Sequence, residues 1–239
     1  MQLKDKRVVI IGGTSGIGFA IAMAAAKEGA EVIVASRSSD KIKEAEKRIG
    51  KNAQGRQLDM RHENELEKFF QQVGHFDHLQ IPGSEVLSAS FFKTSTMDVK
   101  KSFDSKFWGQ YNAVKYAVPY LNKESSVTLF SGSISDRPRK GRLVEASINS
   151  VIEGFCRALA VELAPVIRVN AISPGVIDTP LFNHLNDHER KQLFSNIETL
   201  LPLKRIGKPE EVAHAALFLM TNSYTTGITL HVDGGYLLM

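Results

Sequence analysis

The chain has 239 residues, 43% hydrophobic and 23% charged, a composition that predicts one globular domain, 1–239, around a single core. The net charge of +4 is mild and the basic residues are scattered, so we expect no nucleic-acid partner. The lone cysteine, Cys156, the lack of a signal-peptide pattern and the lack of an apolar run of about 18 residues predict a cytoplasmic protein with no membrane partner.

Strand-like runs alternate with helical periods along the whole chain. In order, the strands are RVVIIG, EVIVAS, GRQLDM, DHLQI, SVTLFSG, IRVNAIS and GITLHVDGG. The helical periods between them include a long helix across roughly 97–121 and another across 143–165. Apolar strands that alternate with helices form a parallel sheet covered on both faces, so the sequence predicts one doubly wound α/β domain. The segment 179–206 departs from the alternation and predicts one or two amphipathic helices above the sheet.

A glycine cluster follows the first strand, in IIGGTSGIGFAIA. Gly12 suits a tight turn, Gly16 the close approach of a pyrophosphate, and Gly18 the packing of a helix on a strand. The N-terminus of the following helix offers free N–H groups and the positive end of a dipole to an anion. Because the cluster lies at the first β–α turn, it favours dinucleotide binding over a purely structural turn.

The end of the second strand faces the adenosine ribose in folds of this kind. An acidic residue there favours NAD, but this chain has Ser36, Arg37 and Ser38. An arginine fork flanked by two hydroxyls suits a 2′-phosphate, through charge-assisted hydrogen bonds. We therefore predict NADP(H) as the cofactor; the alternative is that Arg37 is a solvated loop residue.

Several long stretches resemble the short-chain dehydrogenase/reductase family, in the family's order: GGTSGIG, LDM, LFSGS, EASINSVIEGFCRALAVELAPVIRVNAISPGVIDTP, RIGKPEEVAHAALFLM and TGITLHVDGG. The resemblance spans essentially the whole chain and implies a Rossmann-type sheet of about seven strands in a homodimer or homotetramer. It also implies that Asp59 and Met60 hold the adenine and that 179–206 is a substrate lid. The further cofactor-binding residues that it implies are Thr14, Ser15, Ile17, Pro82, Gly83, Ser131, Pro174, Gly175, Ile177 and Thr179.

The catalytic pattern of that family is broken in this chain. The family uses a tyrosine, a lysine four residues later, a serine thirteen residues before the tyrosine, and an asparagine on the preceding long helix. Aligning EASINS with this pattern places Val144 at the tyrosine and Ile148 at the lysine, and leaves Ser131 at the serine. Aligning FDSKFWGQ places Lys106 at the asparagine. We expect Val144 and Ile148 to form an apolar wall beside the nicotinamide.

The leading hypothesis is an NADP(H)-dependent oxidoreductase that reduces a carbonyl or an activated double bond of a small substrate with a non-standard proton donor. Ser131 and Lys106 are the predicted catalytic residues: Ser131 holds the substrate oxygen, and Lys106, Ser133 or an ordered water supplies the proton. For Lys106, the alternative is a side chain that faces solvent. For the whole protein, the alternative is a non-catalytic NADP(H)-binding sensor or regulatory protein on the same fold.

The motif YNAVK presents Tyr111 and Lys115 at the spacing of a catalytic pair. It precedes the serine strand, which violates the order of the family's pattern, so we predict that Tyr111 makes a helix or subunit contact instead.

The loop SDRPRKGR, residues 135–142, carries four cations directly after Ser131 and Ser133. Ligands bind outside the carboxyl ends of strands in this fold, so these cations favour an anionic substrate; the alternative is an exposed charged loop. His184 and His188 are four residues apart without further ligands nearby, and we expect no metal site.

We predict that NADPH binds more tightly than NADH by roughly ten- to a hundredfold, the value of one charged hydrogen bond. Arg37→Asp should remove this preference, because it replaces the cation facing the 2′-phosphate with an anion. Titration of both nucleotides by calorimetry checks it, and equal dissociation constants in the wild type would contradict it.

Overall fold

Seven parallel strands form one sheet in the computed structural model, which describes residues 2–83, 85–88 and 90–239. The strand order is β3-β2-β1-β4-β5-β6-β7, which confirms the predicted doubly wound α/β architecture. The strands are β1 (Arg7–Ile11), β2 (Glu31–Ser36), β3 (Ala53–Gln57), β4 (Phe76–Gln80), β5 (Leu121–Phe130), β6 (Ile167–Pro174) and β7 (Thr229–Val232).

Helices cover both faces of the sheet. They are α1 (Gly16–Lys27), α2 (Ser39–Ile49), α3 (Glu63–Val73), α4 (Thr96–Phe103), α5 (Gly109–Ala117), α6 (Leu143–Leu163), α7 (Asp187–Leu200) and α8 (Pro209–Thr221). The apolar sides of α3, α5 and α6 pack on one face, and those of α1, α2 and α8 on the other. Within the described part of the chain, no helix is long and apolar enough to cross a membrane.

The first strand shows why the strands read as continuous apolar runs. Val9 and Ile11 point into the core under α3 and α6, whereas Val8 and Ile10 point into the core under α1 and α8. Because successive side chains of a strand alternate between faces, a strand with a core on both sides does not show the alternation of apolar and polar residues that a half-exposed strand shows.

The long helix predicted across 97–121 is interrupted. A π-helical turn, Asp104–Trp108, separates α4 from α5, and a short 3₁₀ turn, Val118–Tyr120, follows α5. A π turn inserts an extra residue and changes which side chains share a face. Its location matters because Lys106 lies at its centre.

The segment 179–206 forms one α-helix, α7, after a 3₁₀ turn at Pro180–Phe182. A capping box starts α7: the Asn186 side chain accepts from the Glu189 backbone, and the Glu189 carboxylate accepts from the Asn186 backbone. Phe182 packs edge-on against Phe194, with ring centres 5.1 Å apart.

Helix α6 places Val144 and Ile148 in the protein core, so the predicted apolar wall beside the nicotinamide is wrong. Ile148 has no exposed surface, and both side chains pack with Ile152 and the sheet residues beneath. Positions 144, 148, 152 and 156 form the core stripe of the helix, one residue per turn. Burial of Cys156 in this stripe raises the pKa of its thiol to about 12.

We predict that Ile148→Ala lowers the free energy of unfolding by about 2–5 kcal/mol, the cost of a cavity in a packed core. Leu143→Ala, on the same helix but 47% exposed, should cost less than about 1 kcal/mol. Urea unfolding of the three proteins compares them, and a small loss for Ile148→Ala would mean that this face of α6 is not packed.

Candidate active site

The loop after β1 lies directly against the loop after β4. Gly12 has a φ of +93°, which favours glycine, and its N–H donates to the Ala35 carbonyl at 2.8 Å. A β-carbon at Gly12 would lie 2.5 Å from the Gly83 Cα, closer than atoms pack. The Gly83 N–H in turn donates to the Ile11 carbonyl at 3.1 Å. The two loops thus form a shallow backbone cradle at the carboxyl end of β1.

Helix α1 begins at this cradle. A β-carbon at Gly18 would lie 2.1 Å from the Gly12 carbonyl oxygen, so only glycine allows the helix to pack so closely on the loop. Next to Gly16, the side chain of Thr179 lies 3.3 Å from where a β-carbon would stand. The structure therefore brings Thr179, predicted at the nicotinamide end, to the glycine loop.

The side chains of the residues after β2 already have partners within the protein. The Arg37 guanidinium forms an ion pair with the Glu85 carboxylate, with Nη1 to Oε2 at 3.3 Å and a shorter contact from Nη2 to Oε1. The Ser38 hydroxyl accepts from the Lys41 backbone N–H and caps α2. Arg37 lies at the predicted place, but with a carboxylate as its partner.

Asp59 and Met60 follow β3. The Asp59 carboxylate accepts from Arg61 Nε at 2.9 Å, and this hydrogen bond lowers the pKa of Asp59 to about 2. The Met60 side chain is buried against Gly109, and its contact with the adenine stays a prediction.

The end of β6 and the turn after it are held by backbone hydrogen bonds. Gly175 donates to Val232 at 3.0 Å, and the Pro174 carbonyl accepts from the Ser133 N–H at 3.0 Å. Ile177 is buried and pairs with Gly207 in an isolated parallel bridge. These residues lie at the carboxyl edge of the sheet, as predicted for ligand contact.

Lys106 points from the π turn into the region between the carboxyl end of β5 and α6, which we call the cleft, rather than to solvent. Its ammonium donates to the Ser131 carbonyl at 3.0 Å and to Asn149 Oδ1 at 2.6 Å. The Asn149 amide donates to the Gly132 carbonyl at 3.2 Å, which fixes the orientation of its oxygen. An ammonium carries three protons, so these two bonds leave one for a further acceptor.

Burial lowers the pKa of Lys106 from its usual range to about 8. The carboxylates of Glu145 and Glu153 oppose this shift, because their negative charge favours the protonated amine. Glu145 is held by Arg142 Nη1, at 3.1 and 3.0 Å from its two oxygens, and Glu153 accepts from Ser135 Oγ at 2.7 Å. The two neutral acceptors of Lys106 add no charge that would offset its burial.

The hydroxyls of Ser131 and Ser133 turn towards the sheet. Ser131 Oγ donates to the Ile172 carbonyl at 3.4 Å, and Ser133 Oγ to the Ser173 carbonyl at 3.3 Å. Both residues are buried. Lys106 contacts the backbone carbonyl of Ser131, whereas the Ser131 hydroxyl, predicted to hold the substrate oxygen, donates to β6.

The Tyr111 ring packs among aromatic rings of the π turn and α6. Its ring centre is 5.4 Å from Trp108 and 5.4 Å from Phe155. Lys115 lies 3.8 Å from the Glu63 carboxylate. The pair therefore makes helix contacts, in agreement with the sequence-based interpretation.

The basic loop is partly engaged. Arg142 binds Glu145, and the Arg139 guanidinium lies 4.5 Å from the centre of the Tyr236 ring. Tyr236 belongs to a small apolar cluster with Leu201 and Ile206, beside the end of α7.

Sequence reasoning missed Glu85, Glu145 and Asn149. Glu145, Asn149 and Glu153 are spaced four apart and form a polar stripe beside the core stripe of α6. That stripe is visible in the sequence and could have indicated which side of α6 faces the site. Glu85 follows β4 in an irregular segment without periodicity, so no pattern pointed to it.

The fold and the glycine loop define a protein whose first β–α turn is built to receive a dinucleotide. A family model described as enoyl-(acyl carrier protein) reductase matches residues 12–237. The chain belongs to the short-chain dehydrogenase/reductase family of oxidoreductases.

Similar proteins cover the whole chain. Short-chain dehydrogenase/reductase ATR9 of Stachybotrys chlorohalonatus is 33% identical over 253 residues, 99% of this chain and 98% of the relative. The 3-oxoacyl-(acyl-carrier-protein) reductase FabG of Thermotoga maritima is 32% identical, with 100% of each chain covered. A solved structure of a small-chain dehydrogenase in complex with NADPH is 36% identical, with a TM-score of 0.86 over 98% of this chain and 99% of the other.

We predict that Lys106 titrates near pH 8, well below the usual lysine pKa of about 10.4. Asn149→Asp should raise this pKa, because a carboxylate replaces a neutral amide, and Glu145→Gln should lower it, because a stabilising anion is lost. Acetic anhydride labelling across pH 6–11, read by peptide mass spectrometry with exposed Lys41 as internal reference, measures both shifts. A wild-type midpoint near 10 would contradict the burial of the amine.

Proposed function

We propose that the protein is an NADP(H)-dependent oxidoreductase that reduces the carbonyl or activated double bond of a small substrate, with Lys106 as proton donor. The single observation that carries the proposal is the Lys106 ammonium, fixed in the cleft by the Ser131 carbonyl and Asn149. Reduction requires a hydride at one atom of the double bond and a proton at the other.

The residues present fit a dinucleotide. The cradle between Gly12 and Gly83 is filled if either residue gains a β-carbon, and the N-terminus of α1 opens onto it. Arg37 is the residue that would hold a 2′-phosphate, and Thr179 and Gly175 lie where the nicotinamide end would rest. NADPH, when bound, would supply the hydride. Residues of the chain would bind the cofactor, orient the substrate and supply the proton. The complex of a 36% identical relative with NADPH supports this choice of cofactor.

Lys106 can deliver the proton because of three properties. Its third N–H is free of the two acceptors that hold it, its pKa is lowered to about 8, and it is only partly buried. A donor with a pKa near the working pH is protonated in a large fraction of molecules and also transfers its proton readily. The Glu145 carboxylate, held by Arg142, acts on the amine by charge alone and favours its protonated form.

We infer that the lysine and asparagine of the family's pattern have exchanged places. The cleft-facing positions of α6 are Glu145 and Asn149, so the tyrosine and lysine of the family fall there, one residue later than at Val144 and Ile148. Thirteen residues before Glu145 is Gly132, not Ser131. Asn149 then stands where the family has its lysine, and Lys106 where it has its asparagine, and the two side chains touch at 2.6 Å.

Ser131 remains in the proposal as a positioning residue. Its carbonyl accepts from Lys106, while its hydroxyl donates to β6. Ser131 therefore acts on the reaction through Lys106, by the carbonyl that orients the ammonium. A substitution of the Ser131 side chain leaves this carbonyl in place.

The substrate is proposed to lie between this amine and the segment 179–206, which acts as a lid. Phe194 and Ile197 of α7 pack with Leu237 and Met239 around the apolar cluster at Tyr236. The cations of the loop 135–142 border the same region and favour a substrate that carries an anionic group. The aromatic surface at Trp108 and Tyr111 is proposed as a subunit contact of a homodimer or homotetramer.

We predict that Lys106→Met lowers turnover by about 10²–10⁴-fold and leaves NADPH affinity unchanged, because it removes the proton donor alone. Wild-type reduction should slow as pH rises through about 8, where the ammonium loses its proton. NADPH oxidation is measured against a panel of aldehydes, diketones and quinones.

Tyr111→Phe is the matched control and should stay within a few-fold of the wild type, because the Tyr111 ring packs on Trp108 and Phe155 and keeps those contacts without its hydroxyl. If Lys106→Met were as active as the wild type, the proton-donor assignment would fail. A wild type that binds NADPH but oxidises none of the panel would instead favour the non-catalytic sensor.

A further inference from the structure

The ion pair between Arg37 and Glu85 spans the proposed cofactor cleft. Arg37 follows β2 and Glu85 follows β4, and these two strands flank β1 in the sheet. The pair therefore crosses the carboxyl end of β1, where the glycine loop begins at Gly12. A nucleotide bound along this edge must pass the guanidinium of Arg37.

Both partners are anchored through their backbones. The Arg37 carbonyl accepts from Gln57 Nε2 at 3.0 Å. The Glu85 N–H donates to Ser105 Oγ at 3.0 Å, and the Leu87 N–H donates to a second serine hydroxyl, one turn earlier on the same helical segment, at 3.1 Å. The segment that carries Glu85 is thus docked on the turn that carries Lys106, and its carboxylate is held facing Arg37.

The contact uses the part of arginine that a phosphate needs. Nη1 and Nη2 each bind one oxygen of Glu85, in the paired arrangement that guanidinium makes with carboxylates and phosphates alike. The next cation, Arg61, is bound to Asp59. A 2′-phosphate approaching Arg37 therefore meets a guanidinium whose fork is occupied, and a carboxylate of its own sign beside it.

We propose that Glu85 is a specificity-determining residue for the cofactor, which competes with the 2′-phosphate for the guanidinium of Arg37. In the free protein Glu85 occupies the phosphate-binding fork, and binding of the phosphate displaces it. Glu85 thus lowers the affinity for nucleotides that carry a 2′-phosphate and leaves that for nucleotides without one unchanged. The inference rests on the proposed assignment of Arg37 to the 2′-phosphate.

The test compares adenosine 2′,5′-bisphosphate with 5′-AMP by calorimetry at low ionic strength. Glu85→Gln should tighten binding of the bisphosphate by about fivefold, as expected for release of one exposed ion pair, and leave 5′-AMP unchanged. The gain should shrink in 0.5 M salt, because screening weakens exposed charges. Glu162→Gln, an exposed carboxylate at the far end of α6, controls for the change in net charge.

The double variant isolates the pair. In an Arg37→Gln background, which should lose at least tenfold in bisphosphate affinity, Glu85→Gln should gain clearly less than in the wild type, because only the direct repulsion between carboxylate and phosphate is left to remove. Unchanged bisphosphate affinity in Glu85→Gln, with the loss in Arg37→Gln retained, overturns the role of Glu85 and leaves the cofactor proposal standing. Unchanged bisphosphate affinity in Arg37→Gln overturns both.

Discussion

The close approach of two backbones, after β1 and after β4, is the constraint on which the site depends. The helices that follow these neighbouring strands cover opposite faces of the sheet, so their loops diverge and open a crevice. Gly12 and Gly83 form its floor, at a separation that admits no side chain. Arg37 follows β2 and Lys106 lies in the π turn, so under the proposed function one bound molecule would meet a phosphate ligand and a proton donor along its length.

The sequence predicted the sheet and the glycine loop, because each rests on a local pattern. It also predicted the inward position of Lys106, because this residue aligns with a cleft residue of the family. The register proposed for α6 differs by one residue from the alignment that the sequence suggested. One residue rotates a helical side chain by about 100°, which exchanges the core stripe for the polar stripe. Without a tyrosine or lysine in α6, the motif itself could not fix the alignment. The apolar pair Val144 and Ile148 and the polar pair Glu145 and Asn149 could have indicated which side of the helix faces the core. The π turn and the pair between Arg37 and Glu85 depend on tertiary contacts that no local pattern encodes.

The amine of Lys106 is governed by a balance between burial and distant charge. Its direct partners, the Ser131 carbonyl and Asn149, are neutral, so they orient the ammonium without holding its proton. Glu145 and Glu153 act from further away and keep the amine charged near neutral pH. A carboxylate in direct contact would have stabilised the ammonium and removed its acidity, so a neutral amide at position 149 suits a proton donor better than an ion pair.

The capping box at the start of α7 has a mechanical consequence. Asn186 and Glu189 satisfy two backbone N–H groups at the start of the helix from within the segment itself, so this helix terminus needs no partner from the sheet beneath it. If 179–206 is the lid proposed above, a helix that already satisfies its own start would need few new torsions to be ordered on closure. It would then lose little chain entropy, so more of the energy of contact would remain available for holding the ligand.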